Sequence, residues 1–519
     1  MAATRFYQNP VLTGFFPDPS IIRVGEDYYM ANSTFEYFPA VVISHSRDLV
    51  NWEIIGHGIN RNEDIDLTGI DDSHGFWAPD ISYHNGTYYI FVTLRLNGTM
   101  ADRKPMTHRQ VVLRSAKPEG PYSKPAFIDV HGIDPSHFVD DDGTHYLVTT
   151  PGARIVKLND ACDAAVADPV MLWEGTGARS PEGPHIFRKD GYYYIILAEG
   201  GTGYGHRITV ARSRTLAGPY EPCPYNPVMT QTDPAARIQR AGHGKLVQTQ
   251  HGDWWMVYLC GRPNEGNFTT LGRETALDPV RWTDDGWFLV NEGKGPSESQ
   301  VAPNLPEQTY RETYFDDFNS EQLGLHWQFP RNPDNGAWSL TERPGYFRIW
   351  TGNADLGSKE ARNVLLRREK HHHYRASLKL EFAPASPGDQ AGLVCYLGIH
   401  CFVKLFLTHE DGLKIKLVEN RNDQYTCLGE IAGISRAAVY LKVTVAKQRR
   451  DFYYSLDNET WELVGTVKDA TFLSDEGVQI GKHHTGTMVG LYANNGGTGS
   501  RLTADFDWFD YSFEASEAK

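Results

Sequence analysis

Three acidic residues stand in proline-containing phrases. Asp18 lies between two prolines in Phe16-Pro17-Asp18-Pro19-Ser20, Asp134 precedes a proline in Ile133-Asp134-Pro135-Ser136, and Glu182 sits in Pro181-Glu182-Gly183-Pro184. Proline fixes its own φ and restricts the residue before it, so Asp18, and Asp134 in the phrase that echoes it, are mounted on a backbone with little freedom. Carboxylates that face one another cannot all stay ionised. Like charge and burial raise one pKa and leave a protonated acid beside an ionised base. Such a pair can protonate a leaving oxygen and activate water, the chemistry of acetal cleavage between sugars.

The three residues lie far apart in the chain, so the fold must gather them. Each opens a segment of one grammar: a polar opening, a short apolar strand, a turn with Gly beside an acidic or amide residue, and a second strand that starts on paired aromatics. The paired rings are Tyr28-Tyr29, Tyr88-Tyr89, His145-Tyr146, Tyr192-Tyr193 and Trp254-Trp255. The openings are Asp18, Asp80, Asp134, Glu182 and His243, spaced 48–62 residues apart. Repeats of this kind and length are the mark of propeller blades. Five blades fit within residues 1–300, and equivalent openings would ring one mouth of the central channel.

A Gly-, Pro- and Ser-rich stretch from Asn291 to Glu307 reads as a linker, with the junction placed at 301–309. Residues 310–519 form a second all-β region. The alternation in Ala376–Phe382 and Val439–Val445 predicts strands with one wet face, a β-sandwich. The fold class is therefore all-β: a five-bladed β-propeller followed by a β-sandwich. His371-His372-His373 offers imidazoles to a metal, but three adjacent side chains on a strand diverge, so the stretch, with Lys370 alongside, reads as solvated and charged.

Composition narrows the partners. The formal net charge of −15 argues against nucleic acid and anionic membrane as ligands. The first residues lack the apolar core of a signal peptide, and no run is long enough to span a membrane; a cytoplasmic location is expected. Six cysteines without metal-like spacing read as free thiols.

Together, Pro17-Asp18-Pro19, Trp77-Ala78-Pro79-Asp80, Ile133-Asp134-Pro135-Ser136, Pro181-Glu182-Gly183-Pro184, and Gly242-His243-Gly244-Lys245 followed by Gly272-Arg273-Glu274 resemble the signatures of glycoside hydrolase family 43, in particular its two-domain β-xylosidases. The resemblance implies that the sandwich is of the jelly-roll, concanavalin A-like kind, and it implies roles. Asp18 matches the general base, Glu182 the general acid, and Asp134 the carboxylate that tunes and orients the acid. Arg273 matches an arginine that grips sugar hydroxyls. His243 matches a histidine at the channel axis that in some relatives helps hold a calcium ion or its waters; a satisfied core histidine is the competing reading. Trp77 and Phe35 read as either the apolar wall of a sugar pocket or blade packing. Asp80 reads as a structural hydrogen-bonding group, and His137 and His185 as packing or supporting groups.

The implied activity is inverting, exo-acting release of xylose from the non-reducing ends of xylo-oligosaccharides, with Asp18 and Glu182 roughly 6.5–9.5 Å apart. An α-L-arabinofuranosidase acting on arabinose-decorated oligosaccharides is the nearest alternative, and a non-catalytic carbohydrate-binding propeller the alternative from another class. No organic cofactor is expected. Association into dimers or tetramers is implied by the relatives alone.

Overall fold

A computed structural model describes residues 4–99, 107–310, 312–481 and 484–514. The described residues are almost wholly β, and none of their helices is long and apolar enough to cross a membrane. Five antiparallel sheets of four or five strands follow one another along the chain. Their first strands are Ser20–Val24, Gly75–His84, Ser136–Val139, Glu182–Lys189 and Gln239–Gln248. Each first strand packs against the next, and the fifth returns to the first, closing a ring. Asn85-Gly86 and Asp190-Gly191, both with φ positive at both residues, make two of the tight hairpin turns that the sequence announced.

The ring is latched by its own ends. Phe6–Gln8 pairs with Ser299–Val301, and Leu12 bridges Thr275 in the fifth sheet. The stretch that reads as a linker thus runs hydrogen-bonded along the ring, with the Gln308 N–H donating to Asp48 at 2.9 Å.

The C-terminal region consists of an eight-stranded and a six-stranded sheet packed face to face. In the eight-stranded sheet the alternation holds: Leu378, Leu380, Val439, Leu441 and Val443 point inward. The six-stranded sheet departs from it. One face, with Leu393, Cys395, Val403 and Leu405, joins the sandwich core. The other, with Val394, Tyr396, Phe402 and Tyr492, packs on Phe15, Phe35 and Tyr37 of the ring. A sheet buried on both faces needs continuous apolar strands, and Ala391–Leu397 is such a run. A short ladder between Tyr37–Phe38 and Phe329–Pro330 joins the two regions directly.

The histidine stretch is packed, which corrects the solvated reading. His371 is buried, stacks on Phe513 at 3.8 Å between ring centroids and lies 3.2 Å from the Tyr511 hydroxyl. Lys370 is buried and paired with Glu312. All six cysteines are free; Cys427 is exposed and the rest are buried.

Candidate active site

At one mouth of the ring the structure brings together every site residue singled out from the sequence. A cavity of ≈ 80 Å³ is lined by Asp18, Phe35, Trp77, Ala78, Ile133, Asp134, Glu182, Thr202, His243, Arg273 and His484. A larger hollow of ≈ 730 Å³, edged by Arg61, Phe329 and Trp338, holds none of the three carboxylates, so size alone does not locate the chemistry.

The two aspartates precede the first strands of sheets one and three, and both adopt the left-handed backbone region, with φ of 52° and 54°. Few residues other than Gly go there; Asp is among those that tolerate it. Glu182 is the first residue of its strand, and the ladder slips between Glu182 and His185. Similar slips lie between Trp77 and Asp80 and on either side of Gly242. Such bulges re-aim side chains, and here they occur beside Trp77, Glu182 and His243, which line the cavity.

Each carboxylate has a different environment. Asp18 accepts from the Ser33 hydroxyl at 2.6 Å and from the Arg273 guanidinium at 3.0 Å. Burial pushes its pKa up, but Arg273, then His243 and the Ser33 hydrogen bond, outweigh burial and hold Asp18 below the usual carboxylate range. Asp134 accepts from the Gly183 N–H at 2.9 Å, while its own N–H donates to Thr93 at 3.1 Å. Its pKa is raised, chiefly by burial, against the pull of His243 and with the charge of Asp18 adding to the rise. Glu182 is pushed up to about 8, first by burial and then by the charges of Asp134 and Asp18. It is also the most accessible of the three, with 22% of its side chain exposed. The set therefore splits into an ionised Asp18 and a protonated Glu182 at neutral pH, the division that acid–base work requires.

Gly183 is required twice over. Its φ is +58°, and a Cβ there would meet the His243 ring at 3.1 Å. His206, which burial keeps neutral by lowering its pKa to about 3, lies 3.9 Å from Glu182. Asp80 is buried beside the channel and does not line the cavity. It accepts from Ser20 at 2.8 Å, Lys245 at 2.5 Å and the His137 N–H at 2.9 Å, which ties the inner strands of several sheets together as its structural reading expects.

Calcium prefers six to eight oxygen ligands. The acidic neighbours of His243 are already committed to Arg273, Ser33 and Gly183. Among the described residues, no group of three His, Cys, Asp or Glu ligand atoms close enough to share an ion includes His243. The donor set does not fit a calcium ion ligated directly by protein side chains.

The C-terminal region supplies a residue that sequence reasoning missed. The His484 carbonyl accepts from Arg273 Nε and Nη2 at 3.3 and 3.2 Å, and the His484 N–H donates to Ser73 at 2.8 Å. Arg273 also donates to Thr202 at 3.1 Å and lies 5.3 Å from the centre of the Phe35 ring. Glu476 accepts from the Thr269 N–H at 2.9 Å and pairs with Arg240. Thr202 had a signal in its Gly200-Gly201-Thr202-Gly203 loop; His484 had only a polar, Gly-containing stretch before the strand Met488–Asn494. The loop seats tightly, since a Cβ on Gly486 would lie 2.4 Å from the Leu271 carbonyl oxygen. Gly486→Ala is accordingly expected to displace Arg273 and lower kcat/KM by up to about 10²-fold, the usual cost of ångström-scale misplacement. Steady-state kinetics beside an unchanged circular dichroism spectrum would check it.

These features define an enzyme class: an all-β scaffold that holds a protonated carboxyl and an ionised one around a small cavity, with an arginine paired to the ionised one. Residues 7–288 match the model for glycosyl hydrolases family 43, and residues 315–512 match the β-xylosidase C-terminal concanavalin A-like domain. A family 43 protein from Bacillus licheniformis, BlXynB, has a crystal structure that is 61% identical and superposes with a TM-score of 0.96, covering 98% of this chain and 100% of that one. A xylan 1,3-β-xylosidase from a Vibrio species is 38% identical over 98% of this chain and 99% of its own. A non-reducing-end α-L-arabinofuranosidase from Bacteroides ovatus is 35% identical over 98% of this chain and 95% of its own. The chain belongs to glycosyl hydrolase family 43 and is a glycoside hydrolase.

Proposed function

We propose that this enzyme is an inverting, exo-acting β-xylosidase that removes single xylose units from the non-reducing ends of xylo-oligosaccharides. The observation that carries the reading is the position of Glu182. It lines the ≈ 80 Å³ cavity that holds all three carboxylates, and also a vestibule of ≈ 530 Å³ bordered by His74, Arg95, Lys359 and Ile480. A donor at that junction suits a glycosidic oxygen between one sugar in the cavity and a leaving chain in the vestibule. The small inner space favours cutting after a single residue.

In this reading the five-sheet ring is a five-bladed propeller, residues 1–300, joined through 301–309 to a sandwich, 310–519. Glu182 gives its proton to the leaving oxygen. Asp18 takes a proton from water attacking the opposite face of the anomeric carbon, and Asp134 keeps Glu182 protonated. Arg273 holds hydroxyls, Phe35 and Trp77 form the apolar wall, and His243 packs beneath Gly183. A calcium ion in the channel would be held through water beside His243, and no step depends on it.

The second reading, an α-L-arabinofuranosidase, is favoured by the name of the Bacteroides relative and by a cavity whose polar groups suit either pentose. Kinetics on 4-nitrophenyl β-D-xylopyranoside and α-L-arabinofuranoside separate the two. The xyloside is expected to have the higher kcat/KM by at least about tenfold, the worth of one well-placed hydrogen bond. Nuclear magnetic resonance of xylobiose cleavage should show α-xylose released first. A reversed ratio would make arabinose the substrate, and β-xylose first would end the inverting assignment.

A further inference from the structure

The third sheet carries a cluster that hydrolysis does not use. His137 lies in the strand Ser136–Val139, and His145 opens the strand His145–Thr149. His145 faces Val139 and Leu147 faces His137, so the two histidines are diagonal neighbours on one face. Cys162 comes from the loop after Ala153–Lys157, held in a turn with φ of 55° by its N–H bond to the Asn159 carbonyl at 2.8 Å. His137 Nε2 lies 2.9 Å from His145 Nδ1 and 4.0 Å from the Cys162 sulfur. The three ligand atoms all lie within 4.8 Å of one another.

Zinc–nitrogen and zinc–sulfur bond lengths put the ligand atoms of a tetrahedral site about 3.3–3.6 Å apart, and the observed separations bracket that range. The Ser82 hydroxyl is 2.7 Å from His137 Nδ1. A proton held there leaves Nε2 with its lone pair toward the other two ligands, the kind of outer hydrogen bond that fixes a metal-bound imidazole. The rings of Phe91 and Tyr89 cover His137 at 4.8 and 5.1 Å between centroids. Cys162 is buried and the histidines are half-buried, so an ion would enter from the imidazole side.

We propose that His137, His145 and Cys162 form a binding site for a borderline-soft divalent cation of the zinc class, with water at the fourth position. On binding, Cys162 loses its thiol proton to solvent, and His145 carries its proton on Nε2 so that Nδ1 can ligate; no oxidation state changes. Soft thiolate with imidazole selects such ions over calcium or magnesium. None of the three residues lines the catalytic cavity, so the site is separate from the hydrolytic machinery.

Titration of the metal-free full chain with cobalt(II) tests this. The expected result is one ion per chain, with a sulfur-to-cobalt charge-transfer band and the visible bands of tetrahedral cobalt. Cys427→Ser, which removes the exposed thiol, should keep the sulfur band, and Cys162→Ser should lose it. His145→Gln should weaken binding at least about tenfold, and it carries the test by itself where Cys162→Ser fails to fold. Hydrolysis without added metal should be unchanged in all three. Absence of the sulfur band at stoichiometric cobalt, its persistence in Cys162→Ser, or unchanged affinity in His145→Gln would each overturn the site.

Discussion

Glu182→Gln is expected to lower kcat/KM for xylobiose by roughly 10³-fold, within the range that a positioned general acid contributes. The amide keeps the shape of the side chain but has no proton to give. A sugar leaving as an alkoxide needs that proton, and a dinitrophenolate does not. Loss on 2,4-dinitrophenyl β-D-xylopyranoside should therefore be much smaller than loss on xylobiose. The same group sets the alkaline limb of the pH profile. Its pKa stands near 8, raised first by burial and then by Asp134 and Asp18, so activity on xylobiose should fall as pH rises through about 8 and the acid ionises. In Glu182→Gln, the residual activity on the dinitrophenyl substrate should lack that limb. Equal losses on both substrates would show that Glu182 positions substrate and does not donate a proton.

Much of this arrangement could be read before any coordinates, because the information is local and repeated. A turn with Gly followed by paired aromatics specifies one hairpin, and five such hairpins in phase specify equivalent positions for Asp18, Asp80, Asp134, Glu182 and His243. The repeat by itself does not say what each position would do. Asp80 occupies the same phase as its neighbours yet is spent on Ser20, Lys245 and the His137 backbone. The left-handed backbone at Asp18 and Asp134 was also hidden, since a proline neighbour reads as extended chain.

Contacts between distant segments account for most of what went unread. The His484 carbonyl reaches Arg273 across 211 residues of sequence, and a backbone acceptor leaves no mark in residue type. Ala391–Leu397 does not alternate because alternation marks one wet face, and this sheet has the sandwich on one side and the ring on the other. Lys370 and His371, which look solvated in a string of letters, are buried by partners within their own region, Glu312 and Phe513. The C-terminal region is therefore more than a support for the ring, because its loop completes the hydrogen bonding of an arginine that touches the base.

Asp18→Asn should give the other large loss, about 10³–10⁴-fold in kcat/KM, with a different signature. Water attack is impaired whatever the leaving group, so xylobiose and the dinitrophenyl xyloside should suffer alike. The amide is the right choice of replacement. Asp18 is buried against Arg273, and cutting back to Ala would leave a buried guanidinium without its partner, a cost of roughly 3–5 kcal/mol. Asparagine keeps an oxygen for Arg273 to reach. Azide, a small anion that needs no base, should restore part of the rate: it forms the bond to the anomeric carbon while Glu182 protonates the departing oxygen. The product should then be an α-xylosyl azide, inverted relative to the β-linked substrate. A β-configured azide would mean that a covalent intermediate precedes it, and near-normal hydrolysis by Asp18→Asn would place the base elsewhere in the cavity.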